Sequence, residues 1–261
     1  MPQSIVFFDI DGTLWDKTNN IEESTAQAIK LLKANGHKTF INSGRTRSFI
    51  IAPNLLDLGF DGIVSGCGTM IEMDGEVVFE HSIDKDLAVY TVETLREQNV
   101  HIILEGRGCL YMDYDYFLKD EYGQRLMQQM NGNIYDTDAE WGKWKMSKMS
   151  LVLDNTNIDI LHEKLDKYYN FMQHTPTICE LVPWGYDKGT GIKKTCEITG
   201  IPIENTFAFG DSINDIEMMQ TAGHPIAMGN GTDEIKAMCE YVTTNLYDNG
   251  IWNGCKKYGL I

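Results

Sequence analysis

A run of four apolar residues, Ile5-Val6-Phe7-Phe8, stops at two carboxylates one residue apart, Asp9 and Asp11, followed by Gly12 and Thr13. Its unbroken apolar, β-favouring character predicts a strand buried on both faces, as in a parallel sheet. In extended backbone, alternate side chains share a face. Asp9 and Asp11 are therefore expected to look into one site while Ile10 turns back to the core. Gly12 lets the chain leave the strand tip in a conformation other residues resist. Two acids at the end of a buried strand are costly without a positive charge between them, which points to a divalent cation.

The chain has 261 residues, enough for a large core and two lobes. Its formal net charge of -16 argues against nucleic acid or an anionic membrane surface as a partner. An anionic substrate would need local positive charge from a metal ion and a few placed Lys or Arg. No apolar run approaches the roughly 18 residues of a spanning helix, and no charged-then-apolar leader precedes Asp9. Cys67, Cys109, Cys179, Cys196, Cys239 and Cys255 show no Cys-x-x-Cys spacing. They read as structural thiols in a reducing cytoplasm.

Strand and helix patterns alternate at both ends of the chain. A helix is expected over 22–35 with Ser24 as cap, a strand over 37–42, and a helix over 46–58 interrupted near Pro53. A strand over 62–65 and a hairpin turning at Asp74-Gly75 follow. The middle differs. It reads as helices over 84–98, 116–130 and 157–168 and strands over 100–104, 109–112, 148–153 and 178–182. From Pro183 the alternation resumes, with a helix over 190–199, a strand over 206–209, a helix over 214–221, and further elements near 224–228, 232–238 and 241–243. This predicts an α/β fold. A Rossmann-like parallel-sheet core domain (1–82 and 183–261) would be split by an inserted α+β cap domain (83–182).

Three predicted strands end in polar residues: Asp9 and Asp11, Ser43, and Asp211. Sites in open parallel sheets form outside the carboxyl ends of the strands, so these residues can meet although distant in sequence. Asp187-Lys188-Gly189 lies where the chain re-enters the first domain. Together these segments resemble the four motifs of the haloacid dehalogenase-like superfamily, specifically its Cof-type phosphatases with a large α/β cap (type IIB). Asp9 to Thr13 matches Asp-x-Asp-Gly-Thr. Ser43, within Asn42-Ser43-Gly44-Arg45, matches the second motif and Lys188 the third. Gly210-Asp211-Ser212-Ile213-Asn214-Asp215 matches Gly-Asp-x-x-Asn-Asp. The motifs occur in family order, and only the interval from Ser43 to Lys188 has room for a large cap.

The resemblance implies a hydrolase of phosphate monoesters. Asp9 would be the nucleophile, forming an aspartyl-phosphate, and Asp11 the acid and then the base. Mg²⁺ would be held by Asp9, Asp211 and the backbone carbonyl of Asp11, with Asp215 supporting this shell directly or through water. Ser43, Gly44, Lys188 and Asn214 would bind phosphate or substrate. Arg45 either reaches the site or tethers the helix that follows. To donate a proton near neutral pH, Asp11 needs a pKa above the usual value of about 3.9, and Asp9 beside it is expected to push it up. Trp15, where a smaller residue is usual, and Gly191 depart from the family pattern without touching these atoms.

Cap residues expected to choose the leaving group are Glu105 and Arg107 at a strand end, and Lys143, Trp144 and Lys145. The last three lie in a segment that either stacks a ring or packs on the cap. Trp184 lines the entrance or packs at a hinge. The implied partner is a small phosphorylated metabolite, foremost a sugar phosphate, with no nucleic acid or membrane, acted on by a cytoplasmic monomer or weak homodimer. A phosphotransferase or phosphomutase on the same scaffold, or a non-catalytic metal- and phosphate-binding module, are the alternatives.

Overall fold

The Ile5–Phe8 run forms strand β1 with all four residues buried. The structure, a computed structural model, describes residues 2–154 and 156–261. Helix α1 (Glu23–Ala34) follows. Glu22 occupies its capping position without a side-chain bond, and Ser24 lies inside the first turn. The helix is held by its apolar face instead. Ile29 and Leu32 are buried in one cluster with Val6 and Phe8, and burying each contributes about 1.5–3 kcal/mol against about 1 for a cap. Strand β2 (Lys38–Asn42) pairs parallel with β1. The segment read as an interrupted helix holds a 3₁₀ turn at Arg47–Phe49 and a single helical turn, α2 (Pro53–Leu56). Pro53 starts α2 rather than breaking it, since its fixed φ and missing N–H suit the first helical position. Strand β3 (Gly62–Ser65) continues the parallel set. Strands β4 (Met70–Met73) and β5 (Glu76–Glu80) form the hairpin, antiparallel to each other, with Asp74 and Gly75 both at positive φ.

The middle of the chain runs through α3 (Lys85–Glu97), β6 (His101–Glu105), β7 (Leu110–Met112), α4 (Tyr114–Phe117), α5 (Glu121–Gln129) and β8 (Ile134–Asp136). It continues through β9 (Lys148–Val152), α6 (Ile158–Leu165), β10 (Tyr169–Thr175) and β11 (Ile178–Pro183). These strands form a second sheet in the order β10-β11-β9-β6-β7-β8. Asp84 caps α3 by accepting from the backbone N–H of Asp86 and Leu87. The helix expected over 116–130 is two helices, because Asp120 accepts from the Gly123 N–H and starts α5 afresh. Strands β8 and β10 lack the apolar run that marks a strand. The second half of β10 is exposed, and it exists by pairing with β11.

The chain then forms α7 (Lys188–Thr199), β12 (Thr206–Gly210), α8 (Ile216–Thr221), β13 (His224–Ala227), α9 (Asp233–Met238), β14 (Tyr241–Val242) and α10 (Gly250–Lys257). Helix α10 was not legible in its glycine- and asparagine-bearing sequence, and it buries Ile251 and Cys255. The first sheet has the order β14-β13-β12-β1-β2-β3-β4-β5. The chain leaves β1 outward through β2 and β3 and returns on the other side through β12 and β13. The reversal beside β1 is the kind of switch point where parallel sheets bind ligands.

Contacts divide the chain into two units, Met1–Arg45 with Ile50–Glu80 and Tyr186–Ile261, and Thr46–Phe49 with His81–Gly185. Among the described residues no helix is long and apolar enough to cross a membrane, and none of the six cysteines forms a disulfide.

Candidate active site

The backbone N–H of Asp9 donates to the Phe209 carbonyl at 3.0 Å. This carries the β1–β12 pairing one residue past Phe8 and sets Asp9 beside the strand that leads into Asp211. Asp215, fully buried, is fixed from two sides. Its Oδ2 accepts from the backbone N–H of Asp211 and Ser212 at 2.9 and 3.1 Å. Its Oδ1 lies 2.6 Å from Lys188 Nζ. The same Nζ is 2.6 Å from Asp9 Oδ1 and 3.5 Å from Asn214 Oδ1. Lys188 opens α7, where Asp187 and Thr190 form a capping box. The two glycines that follow it allow close packing. A Cβ on Gly189 would lie 2.4 Å from the Glu217 carbonyl oxygen, and one on Gly191 2.5 Å from Val64 Cγ1. Gly191 is thus a packing requirement that brings the start of α7 against the sheet, where Lys188 is 2% exposed.

Carboxylate oxygens of Asp9, Asp211 and Asp215 all lie within 4.8 Å of one another. Burial pushes the Asp9 carboxyl up to about 8, with Lys188 opposing and Asp215 and Asp211 adding to the rise. Burial and Asp215 push Asp211 up to about 7. Burial works against the charge on Lys188, but Asp215 and Asp9 outweigh it and hold the ammonium well above its ordinary range. One lysine thus faces three acids, and the cluster lacks positive charge. An all-oxygen donor set with surplus negative charge suits a hard divalent cation such as Mg²⁺, so the residues fit that ion.

Gly12 ties the first motif to the last. It sits at φ +82°, and a Cβ there would lie 2.3 Å from Asp211 Oδ2. Thr13 Oγ1 donates to Asp211 Oδ1 at 3.2 Å, and Asn230 Nδ2 donates to the Gly12 carbonyl at 2.7 Å. Gly12→Ala is expected to cost about 1–2 kcal/mol from backbone conformation alone and to displace the Asp211 carboxylate. Thermal denaturation and Mg²⁺ titration of the variant check this. Metal affinity should fall at least tenfold, more than any proportionate loss of fold, and unchanged affinity would mean that Gly12 does not set Asp211.

The expected alternation does not extend to Asp11. The strand ends at Phe8, and the N–H groups of Thr13, Leu14 and Trp15 all donate to the Ile10 carbonyl. The chain turns at Ile10, and the Asp11 side chain stands outside the Asp9–Asp211–Asp215 group. It is gripped by Arg45, with Nε 2.8 Å from Oδ2 and a terminal nitrogen 2.7 Å from Oδ1. The Trp15 indole N–H also donates to Oδ1 at 3.0 Å. The expected upward push on Asp11 is therefore overturned. Burial does raise it, but the hydrogen bonds and charge of Arg45, with Trp15 and Lys188 assisting, hold the carboxyl below its ordinary value. Arg45 reaches the site through this acid. Ser43, buried at the end of β2, accepts the Arg45 backbone N–H at 3.2 Å. That leaves its own O–H to donate. Gly44 lies between them, its carbonyl 4.0 Å from Cys67 Sγ.

In the second unit, Glu105 is not presented to solvent. It is 2% exposed and accepts from Thr46 Oγ1 at 3.0 Å and from Ser150 Oγ. It lies 3.8 Å from buried Lys148, which pairs with Glu180 at 2.6 Å. A leaving-group contact from Glu105 is replaced by an internal ion pair. Trp144 is likewise buried, donating its indole N–H to the Thr137 carbonyl at 3.1 Å, so it packs in the core of the second unit. Arg107, Lys143 and Lys145 are exposed. Lys143 lies 3.8 Å from Glu140. Arg107 and Lys145 leave adjoining ends of β6 and β9, where Glu105 pairs with Lys148. Trp184, 57% exposed, donates to the Asp166 carbonyl. Sequence reasoning missed the Trp15 donor, the Thr13 and Asn230 contacts, and Lys148. Only Trp15 carried a signal, as a departure from the usual residue.

Residues 6–254 match the family described as haloacid dehalogenase-like hydrolase. Two Bacillus subtilis (strain 168) proteins are similar over nearly the whole chain. "Putative phosphatase YkrA" is 28% identical, covering 100% of both chains. The 5-amino-6-(5-phospho-D-ribitylamino)uracil phosphatase YitU is 27% identical, covering 97% of both. Among solved structures, the HAD subclass IIB sugar phosphatase BT4131 shares the fold at a TM-score of 0.81 and 24% identity, covering 99% of this chain and 100% of its own.

Proposed function

Since the chain belongs to the haloacid dehalogenase-like hydrolase family, within which its relatives carry phosphatase names, we propose that it is a Mg²⁺-dependent phosphatase. Its substrate is a small phosphorylated metabolite, foremost a sugar phosphate. The observation that carries this is the buried Lys188 bridging Asp9 and Asp215 beside Asp211. An Asp oxygen there is held by a cation at a strand tip, ready for an anionic phosphoryl group. A sugar phosphate is supported by the name of BT4131, a sugar phosphatase, while the name of YitU puts the phosphate on a ribityl chain attached to a uracil. The six cysteines without disulfides suit a cytoplasmic setting.

Asp9 attacks phosphorus, and the bond to the leaving oxygen breaks with its electron pair on that oxygen, which takes a proton from Asp11. Water then attacks the aspartyl-phosphate and gives a proton to Asp11, and the Asp9–phosphorus bond breaks to restore the carboxylate. Lys188 offsets repulsion between Asp9 and the entering dianion. The Ser43 O–H, the Gly44 backbone and Asn214 hold phosphoryl oxygens. Arg45, 37% exposed, can turn from Asp11 to the dianion. This relieves the grip that keeps Asp11 ionised. Asp9, Asp211, Asp215 and the Asp11 carbonyl would hold Mg²⁺, which supplies charge stabilisation to the phosphoryl group.

The test is phosphate release from sugar phosphates, nucleotides and flavin and pyridoxal phosphates, with Mg²⁺ and with chelator, in the absence of any acceptor. Release that needs Mg²⁺ is expected. Turnover only when a hydroxyl-bearing acceptor is supplied would make the enzyme a phosphotransferase. Because carboxyls near 8 and 7 must lose protons to bind metal, Mg²⁺ affinity should fall at least tenfold from pH 8 to pH 6. Calorimetry in buffers of different ionisation enthalpy should register the released protons.

A further inference from the structure

The Asp11 carboxylate has three donors of two kinds. Arg45 spans both oxygens from a side chain 37% exposed. Trp15 reaches only Oδ1, at 3.0 Å, from a side chain 3% exposed. The turn that carries Trp15 is itself fixed, since the Trp15 N–H donates to the Ile10 carbonyl and the Trp15 carbonyl accepts the Gly12 N–H at 3.0 Å. The ring lies in the main core cluster with Ile10 and Leu14, and the Arg45 guanidinium sits 5.5 Å over it. An arginine in this position can follow a passing phosphate. A buried indole on a closed turn cannot.

We propose that Trp15 is a positioning residue for the proton transfer to the leaving group. Its N–H anchors Oδ1 of Asp11 through the reaction, so that Oδ2, left open when Arg45 turns to the substrate, carries the transferable proton in a fixed direction. The inference rests on Asp11 being the acid of the proposed phosphatase. An indole N–H only donates, so Trp15 neither supplies nor removes the proton. It fixes which oxygen bears it. The consequence is selective. A leaving group that departs readily as an anion needs little help from an acid, whereas an alcohol leaving group needs a well-aimed one.

The experiment compares kcat/KM for p-nitrophenyl phosphate, phenyl phosphate and benzyl phosphate in the Mg²⁺-loaded enzyme, wild type against Trp15→Phe. A second variant carries 3-benzothienylalanine at position 15, which keeps the two-ring shape but lacks the N–H and so guards against a packing defect. Asp11→Asn is the reference. With both position-15 variants, p-nitrophenyl phosphate should stay within about threefold of wild type while benzyl phosphate falls roughly tenfold or more, a fraction of the 10²–10⁴ that acid catalysis supplies. An equal loss on all three esters, or no loss on any, with Asp11→Asn still selective, overturns the role of Trp15 alone. If Asp11→Asn itself shows no preference among leaving groups, the acid assignment fails and the proposal goes with it.

Discussion

Asp9→Asn should abolish phosphate release, lowering kcat by roughly 10⁴-fold or more, the scale seen when an attacking group is removed, without destabilising the metal-free protein. The two halves come from the same geometry. An amide oxygen in place of the attacking carboxylate cannot form the aspartyl-phosphate. Yet the Asp9 carboxyl is one of three acids around a single lysine, and burial already pushes it up to about 8. Removing it relieves repulsion from Asp215 and Asp211, while Lys188 keeps its 2.6 Å partner Asp215. Folded-state stability without metal should therefore be equal to or above wild type at pH 8, and the stabilisation conferred by Mg²⁺ should shrink. Phosphate assays and thermal denaturation with and without Mg²⁺ measure both. Residual turnover within tenfold of wild type would remove Asp9 as the nucleophile.

That pairing of lost activity with kept stability reflects where the sequence was legible. The apolar run 5–8, the motif letters and the switch in rhythm near residue 83 are local features, and local features show in one dimension. What pairs across the fold does not. Asp11 was read by strand alternation, but the backbone turns one residue earlier, at Ile10, and a side chain 34 positions away takes both its oxygens. Glu105 looks like a ligand contact because a charge next to glycine suggests a surface, while the sequence leaves Trp144 open between stacking a ring and packing. Their partners Lys148 and the Thr137 carbonyl come from other strands and loops. Strand β10 carries too little apolar pattern to announce itself and is made by its neighbour. Lys188 is the contrasting case. Its local sequence reads as a solvated lysine, and the ordered motif set alone marked it as a residue of the site. The structure adds the reason it is buried, two glycines that let α7 pack closely.

Lys188→Met should be the most damaging single change to the fold among the site residues. A methionine fills similar space, so the packing loss is small, but Asp9 and Asp215 keep their burial and lose their cation. Breaking a buried pair in this way costs about 3–5 kcal/mol. The pH dependence follows from the directions of the shifts. In the wild type the ammonium is held above its ordinary range, so its contribution is present at every pH below its unfolded value and is constant across the working range. In the variant Asp9 titrates without it, and its value, already about 8, moves higher. An acid whose folded pKa lies above its unfolded value stabilises the protein below the unfolded pKa and loses that contribution as pH rises toward the folded one. The deficit against wild type should thus be constant while Asp9 is protonated in both proteins, and should widen as pH rises through about 8, where the wild type releases that proton beside Lys188 and the variant does not. Mg²⁺ should narrow it at pH 8 by restoring positive charge to the cluster. Denaturant midpoints at pH 6.5, 8 and 9.5, with and without Mg²⁺, give the curve. A deficit that stays flat through pH 9.5 would mean the loss comes from packing and not from Asp9 left without its counter-charge.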